Sequence, residues 1–198
     1  MKQDIPDWHD RHYLPHRENV SVQAVTFRLY DSMPAKLIAE WKELVNEMKK
    51  EATGDHYDKA KLLQQRISKY EDSGYGQCFL KEPTIADIVQ RALLYHHGQK
   101  YRLIRWCIMP NHVHMLLEIP KWQTLSNIMH SIRSFTAHEA NKKLQRRGKF
   151  WMEEYFDRYI RTEHHMVYAI DYIDYNPVKA GLVSSPKEWP WCSAAVWG

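Results

Sequence analysis

The sequence predicts an α/β (α+β) domain, a small antiparallel sheet with helices packed against it. Three observations carry this. Segments rich in β-branched and aromatic residues, at 20–29, 101–109 and 112–119, alternate with segments whose apolar residues recur at helical spacing. Only Pro110 and Asn111 separate the second of these from the third, so the two should return on each other as a hairpin. Within the third, Val113, Met115, Leu117 and Ile119 point one way and form a uniformly apolar side, whereas His112, His114, Leu116 and Glu118 point the other.

The elements follow in order. Residues 1–18 read as an irregular arm, 19–183 as a single domain and 184–198 as a C-terminal extension. Val25, Phe27 and Leu29 alternate on the first strand. Asp31, Ser32 and Pro34 then open a helix whose apolar face is Leu37, Ile38, Trp41, Leu44, Val45 and Met48. A weaker helix covers about 57–70, broken at 72–76. Thr84 and Asp87 resemble a capping box ahead of a helix with Ile85, Ile88, Val89, Ala92 and Leu93 on its buried face, ended by Gly98. After the hairpin, Leu125, Ile128, Met129, Ile132 and Phe135 mark a helix running to about residue 147. A short aromatic stretch spans 150–160. The last helix runs from about 163 to 176, because Pro177 disfavours helical geometry in the residue before it.

Composition narrows the function class. At 198 residues, with 44% hydrophobic and 26% charged, the chain suits one packed domain and not a disordered one. There is no apolar run of about 18 residues, which excludes a transmembrane helix, and residues 1–15 have no apolar core of a secretory signal. Cys78, Cys107 and Cys192 are widely spaced, which argues against a disulfide framework or a thiolate zinc site and points to the cytoplasm. The formal net charge is +4. Arg133, Lys142, Lys143, Arg146, Arg147, Lys149, Arg158 and Arg161, against four acids in the same stretch, carry all of that excess. Such a cluster suits a phosphate backbone, although a solvated helix face has the same composition.

Two constellations carry chemistry. His112 and His114 share one side of a strand, and two imidazoles so placed can hold a metal ion or a phosphate; with 12 histidines in the chain, chance supplies the same pair. On the final helix Tyr168, Tyr172 and Asn176 stand four apart and form a stripe. A phenol is a covalent nucleophile and a carboxamide oxygen a ligand for a hard cation, yet tyrosines near a helix end are commonly packing residues.

Five segments go further. VTFRLYDSMP (25–34), CIMPNHVHMLLE (107–118), FWMEEYFDRYIR (150–161), YIDYNPVKAGLV (172–183) and EWPWCSA (188–194) occur in this order. In them the chain resembles the REP-associated tyrosine transposases, a branch of the single-tyrosine HUH transposases. The resemblance implies a ferredoxin-like sandwich with helices on one sheet face and the HUH site on the other. It implies that His112, His114 and Asn176 hold a divalent metal, Mg²⁺ or Mn²⁺, and that Tyr172 is the nucleophile. The implied substrate is single-stranded DNA folded into REP-like hairpins, cleaved and rejoined through a 5′-phosphotyrosine, by a monomer in preference to a homodimer.

The basic residues from Arg133 to Arg161 are then expected on the hairpin backbone. Trp191 and Trp197 are candidates for stacking on bases, with Trp151 and Trp189 assigned to the core or its rim. The arm carries His9, Arg11, His12, His16 and Arg17, which could also reach DNA. No general base is identified; Glu118, His164 and His165 are the nearest candidates. A DNA-binding protein without catalysis is the competing reading, and adduct formation separates the two.

Overall fold

The computed structural model describes residues 8–11, 14–17, 22–50 and 56–197. Its strands are β1 (Trp8–Arg11), β2 (Leu14–Arg17), β3 (Val22–Arg28), β4 (Arg102–Ile108), β5 (His112–Glu118) and β6 (Phe156–Tyr159). Its helices are α1 (Ala35–Lys50), α2 (His56–Asp72), α3 (Pro83–Tyr95), α4 (Leu125–Lys143), α5 (Glu163–Asp174), α6 (Asn176–Lys179) and α7 (Ser193–Val196).

β4, β5, β3 and β6 form a four-stranded sheet in that order, with every neighbouring pair antiparallel. Read along the chain, β3–α3–β4–β5–α4–β6 is a βαββαβ unit whose first and third strands are central, the ferredoxin-like arrangement. α1 and α2 are inserted between its first strand and first helix.

The alternation on β5 sorts as the sequence predicts. Val113, Met115, Leu117 and Ile119 join Val25 and Phe27 of β3 in the main core, against Ile85, Val89 and Leu93 of α3 and Ile128, Met129 and Ile132 of α4. Phe27 is fully buried and meets Trp151 edge-on at 4.8 Å. The other face is not bare: Leu116 of β5 packs with Ala169 and Ile173 of α5 in a second cluster. A third cluster, Met33, Leu37, Leu44 and Ile67, joins α1 to α2, and Arg66 grips Glu40 across the pair.

Several sequence expectations change. α3 begins at Pro83, whose preset φ suits a first helical position, so Thr84 lies inside the helix and caps nothing. Asp87 instead accepts a hydrogen bond from Trp191 Nε1 at 2.9 Å. α4 stops at Lys143, and Phe135 faces solvent at 55% exposure. The aromatic stretch holds an edge strand, β6, hidden from pattern reading because its side chains are half-exposed on both faces. The final helix ends at Asp174, since Pro177 has no N–H to continue the ladder, and Asn176 opens α6.

Within the segment read as an irregular arm, β1 and β2 pair antiparallel, while 1–7, 12–13 and 18 lie outside the described residues, as do the side chains of His9, Arg11, His12, His16 and Arg17. Val45 and Met48 of the expected α1 face also lie outside the described side chains. The segment read as a C-terminal extension is bonded to β4: Ile108 N–H donates to Trp191 O at 2.9 Å, and Ser193 Oγ donates to Trp106 O at 3.1 Å. Among the described residues, no helix is long and apolar enough to cross a membrane.

Because Phe27 sits where both packing helices and Trp151 converge, Phe27→Ala should cost about 3–5 kcal/mol of unfolding free energy. Urea denaturation checks this; a loss under about 1 kcal/mol would show that the site collapses onto the cavity.

Candidate active site

β3 and β5 pair with Thr26 opposite His114 and Arg28 opposite His112. That register aims both imidazoles at the sheet face that carries α5. His112 Nε2 and His114 Nε2 lie 2.9 Å apart, and both rings are buried.

The outer nitrogens are held by neighbours. Asn111 Nδ2 donates to Tyr75 O at 3.0 Å, which turns its Oδ1 toward His112 Nδ1, 2.7 Å away. A carboxamide oxygen only accepts, so His112 Nδ1 carries the proton and Nε2 presents a lone pair inward. His114 Nδ1 lies 2.8 Å from Thr26 Oγ1, a hydroxyl that donates or accepts as the tautomer requires. Burial, helped by Arg28, depresses the His112 pKa to about 3. Burial first, then His112, Arg28 and Lys179, lowers that of His114 well below the ordinary value. Both rings are therefore neutral at physiological pH, the form an imidazole must take to bind a metal.

Asn176 completes the group. Its Nδ2 lies 3.2 Å from His114 Nε2, and its buried Oδ1 has no hydrogen-bond partner. Exchanging the two ends of the amide would bring the oxygen to the imidazoles. Two facing imidazole nitrogens and an orphaned carboxamide oxygen form a donor set that fits a divalent cation. Among the described residues no cluster of three or more His, Cys, Asp or Glu competes with it.

Tyr172 stands beside this set. Its ring lies 5.3 Å from that of His114, nearly perpendicular, and stacks on Tyr168 at 6.4 Å. Burial raises the phenol pKa to about 12, and Glu71 and Asp72 add to the rise; hydrogen bonds from Asn176 and Ser68 oppose it. Tyr168 and Tyr175 are exposed at 62% and 57%.

The α2 C-terminal turn supplies groups that sequence reasoning missed. Glu71 forms a buried ion pair with Arg28, and Asp72 pairs with Lys179 at 3.5 Å. The Lys179 ammonium lies 5.5 Å from the Tyr172 ring centroid. Together with His114, Tyr168 and Tyr172 these residues line a cleft of about 810 Å³. Thr26, Arg28, Asn111 and Lys179 all lie inside the quoted segments, but their partners are set only by the β3–β5 register and the α2 packing. Of the candidate bases, Glu118 pairs with Arg102 at the far end of β5, His164 is exposed, and His165 lines the cleft.

The basic residues divide. Lys149 and Arg158 line the cleft, whereas Lys142, Lys143, Arg147 and Arg161 are exposed outside it. Arg146 lies over the Phe79 ring at 4.9 Å. Arg133 is turned inward, donating to Met152 O and, at 2.9 Å, to Glu153 O. Trp151 is in the core; Trp189 is half-buried, its Nε1 donating to Ile108 O at 2.9 Å. Trp191 is half-buried and bonded to Asp87, while Trp197 is 42% exposed.

The His112 environment has a pH consequence. Its folded pKa is below its unfolded value of 6.5, so its neutral form stabilises the fold fully above 6.5 and loses that contribution as pH falls toward 3. Stability should drop by up to about 1.4 kcal/mol per pH unit across that window from this residue alone. Urea midpoints at pH 7, 5 and 4 check this, with an expected shallower decline in His112→Gln; equal slopes would contradict it.

Known proteins resemble this chain in sequence and in fold. The family model described as "Transposase IS200 like" matches residues 80–176, just under half of the chain. A protein of Haemophilus influenzae assigned to the REP-associated tyrosine transposases is 28% identical over 106 residues, 47% of this chain and 58% of its own length. The REP-associated tyrosine transposase of Escherichia coli K12 is 25% identical over 91 residues, 46% of this chain and 52% of its own. The match thus spans about half the length of these relatives. A solved REP-associated tyrosine transposase bound to a REP hairpin superposes with a TM-score of 0.53 at 16% identity, covering 95% of this chain and 82% of that one, a likeness of fold. The chain is thus similar to REP-associated tyrosine transposases over about half its length, and residues 80–176 match the IS200-like transposase model.

Proposed function

We propose that the protein is a metal-dependent DNA transposase or endonuclease that cleaves and rejoins single-stranded, hairpin-forming DNA through a 5′-phosphotyrosine on Tyr172. The observation that carries this reading is the convergence of Tyr172 with His112, His114 and Asn176: the tyrosine ring lies 5.3 Å from His114, which contacts both His112 and Asn176, and His114 and Tyr172 line the cleft.

His112, His114 and Asn176 would hold Mg²⁺ or Mn²⁺. Such an ion, when bound, neutralises charge on the scissile phosphate and polarises its phosphorus. The chain's own residues do the rest. Asn111 and Thr26 keep both imidazoles oriented, as outer partners of metal ligands do. Tyr172 Oη attacks phosphorus in line, the P–O3′ bond breaks, and the 3′-oxygen leaves as a hydroxyl after taking a proton. The phenol pKa of about 12 means that Tyr172 rests protonated and must lose its proton in the approach to the transition state. Attack by another 3′-OH on the phosphotyrosine reverses the step, so strands rejoin without a nucleotide cofactor.

Lys142, Lys143, Arg147, Lys149, Arg158 and Arg161 present charge to a DNA backbone, with Arg146 beside them over the Phe79 ring. Arg133 supports this surface from within by fixing the 152–153 backbone.

Tyr172→Phe, incubated with a labelled stem-loop oligonucleotide and Mn²⁺, should form no covalent adduct. An adduct that persists in this variant would overturn the assignment. His114→Ala and EDTA should each abolish cleavage while leaving hairpin binding within about 5-fold; full cleavage in EDTA would remove the metal from the scheme. Reversing charge at Arg146 and Arg147 together should weaken binding to many hairpins alike and lower the salt slope by about 2. Unchanged affinity in a filter-binding series would count against this surface.

A further inference from the structure

Lys179 is the one charged group of the Tyr172–Lys179 segment's second helix, and the cleavage scheme leaves it unused. It closes the short helix that Asn176 opens, so its ammonium and the Asn176 carboxamide issue from one helical turn. Its Nζ lies 5.5 Å from the Tyr172 ring centroid and 3.5 Å from Asp72 Oδ2, and all three residues line the cleft with His114. The side chain is 57% exposed, so the packing of α6 does not depend on it. Both Lys179 and Asp72 lie outside the residues that match the family model.

We propose that Lys179 is a catalytic residue that contacts a non-bridging oxygen of the scissile phosphate as Tyr172 attacks, and that Asp72 holds its ammonium at the cleft wall between turnovers. This rests on the reading of Tyr172 as nucleophile. In the step, the Tyr172 Oη–P bond forms and the P–O3′ bond breaks. The phenol loses one proton and the departing 3′-oxygen gains one. Lys179 keeps its own proton and supplies only charge, where charge accumulates on the phosphoryl oxygens. Its ion pair with Asp72 is partly exposed and therefore weak, so exchanging that carboxylate for a phosphate costs little. The plain alternative is a tie between α2 and α6 with no part in the reaction.

Single-turnover adduct formation separates the two. The full chain with Mn²⁺ is assayed on stem-loop oligonucleotides drawn from a random-sequence library on which the wild type forms an adduct. Lys179→Ala should slow adduct formation about 100-fold while changing hairpin affinity less than about 5-fold. Lys179→Arg, which keeps the charge, should restore most of the rate, and Asp72→Asn should cleave faster than the wild type because the ammonium is released. Wild-type cleavage by Lys179→Ala would overturn the contact. So would an Asp72→Asn variant as slow as Lys179→Ala, since the ion pair itself would then be what matters. Failure confined to these variants leaves Tyr172 standing. A wild type that forms no adduct on any stem-loop overturns the nucleophile assignment and this inference with it.

Discussion

The antiparallel pairing of β3 with β5 sets both the core and the site. Its register places Val25 and Phe27 with Met115 and Val113 on one face, and Thr26 with His114 on the other. Side chains alternate with a period of two, so a slip of one residue would send the histidines into the core and the aliphatic row toward the cleft. The apolar row therefore enforces the position of the histidines. Burial of Phe27, Val113, Met115 and Leu117 stabilises the only register in which Thr26 reaches His114 Nδ1.

Three further constraints converge on that fixed pair. The Tyr75 carbonyl orients Asn111, and Asn111 in turn fixes the His112 proton on its outer nitrogen. Pro177 interrupts the tyrosine helix and starts α6, which turns the Asn176 carboxamide toward His114. α2 lays Ser68, Glu71 and Asp72 over the cleft and satisfies the buried Arg28. Removing Glu71 would leave an uncompensated buried guanidinium, an effect of several kcal/mol. The cleft is thus walled by an element that lies outside the βαββαβ unit, and its acidic groups add to the rise in the Tyr172 phenol pKa that burial chiefly causes.

Much of this was legible in the sequence, and the reason differs from element to element. The β5 alternation and the apolar faces of α3 and α4 are local periodicities, and each was buried as read, apart from half-buried Ile88 and exposed Phe135. The edge strand β6 left no such trace, because its residues have no consistent inside face. His112 and His114 could be placed on one face by strand geometry alone. Their meeting with Tyr172 and Asn176 is a long-range contact that no local pattern encodes, and only the five ordered segments pointed to it. The stripe reading placed Tyr172 and Asn176 on one helix, whereas Asn176 belongs to the next one and meets His114 from there. Glu71, Asp72 and Lys179 were invisible as site residues because charged residues on polar helix ends are usually solvated.

The proposed chemistry turns on which tyrosine becomes linked to DNA. Trapping the covalent complex on a stem-loop oligonucleotide, digesting both components and sequencing the nucleotide-bearing peptide by mass spectrometry tests this directly. The account places the modification on Tyr172, alongside unmodified Tyr168 and Tyr175. A nucleotide on Tyr168, whose ring stacks 6.4 Å away and opens to solvent, or on the exposed Tyr175, would contradict it.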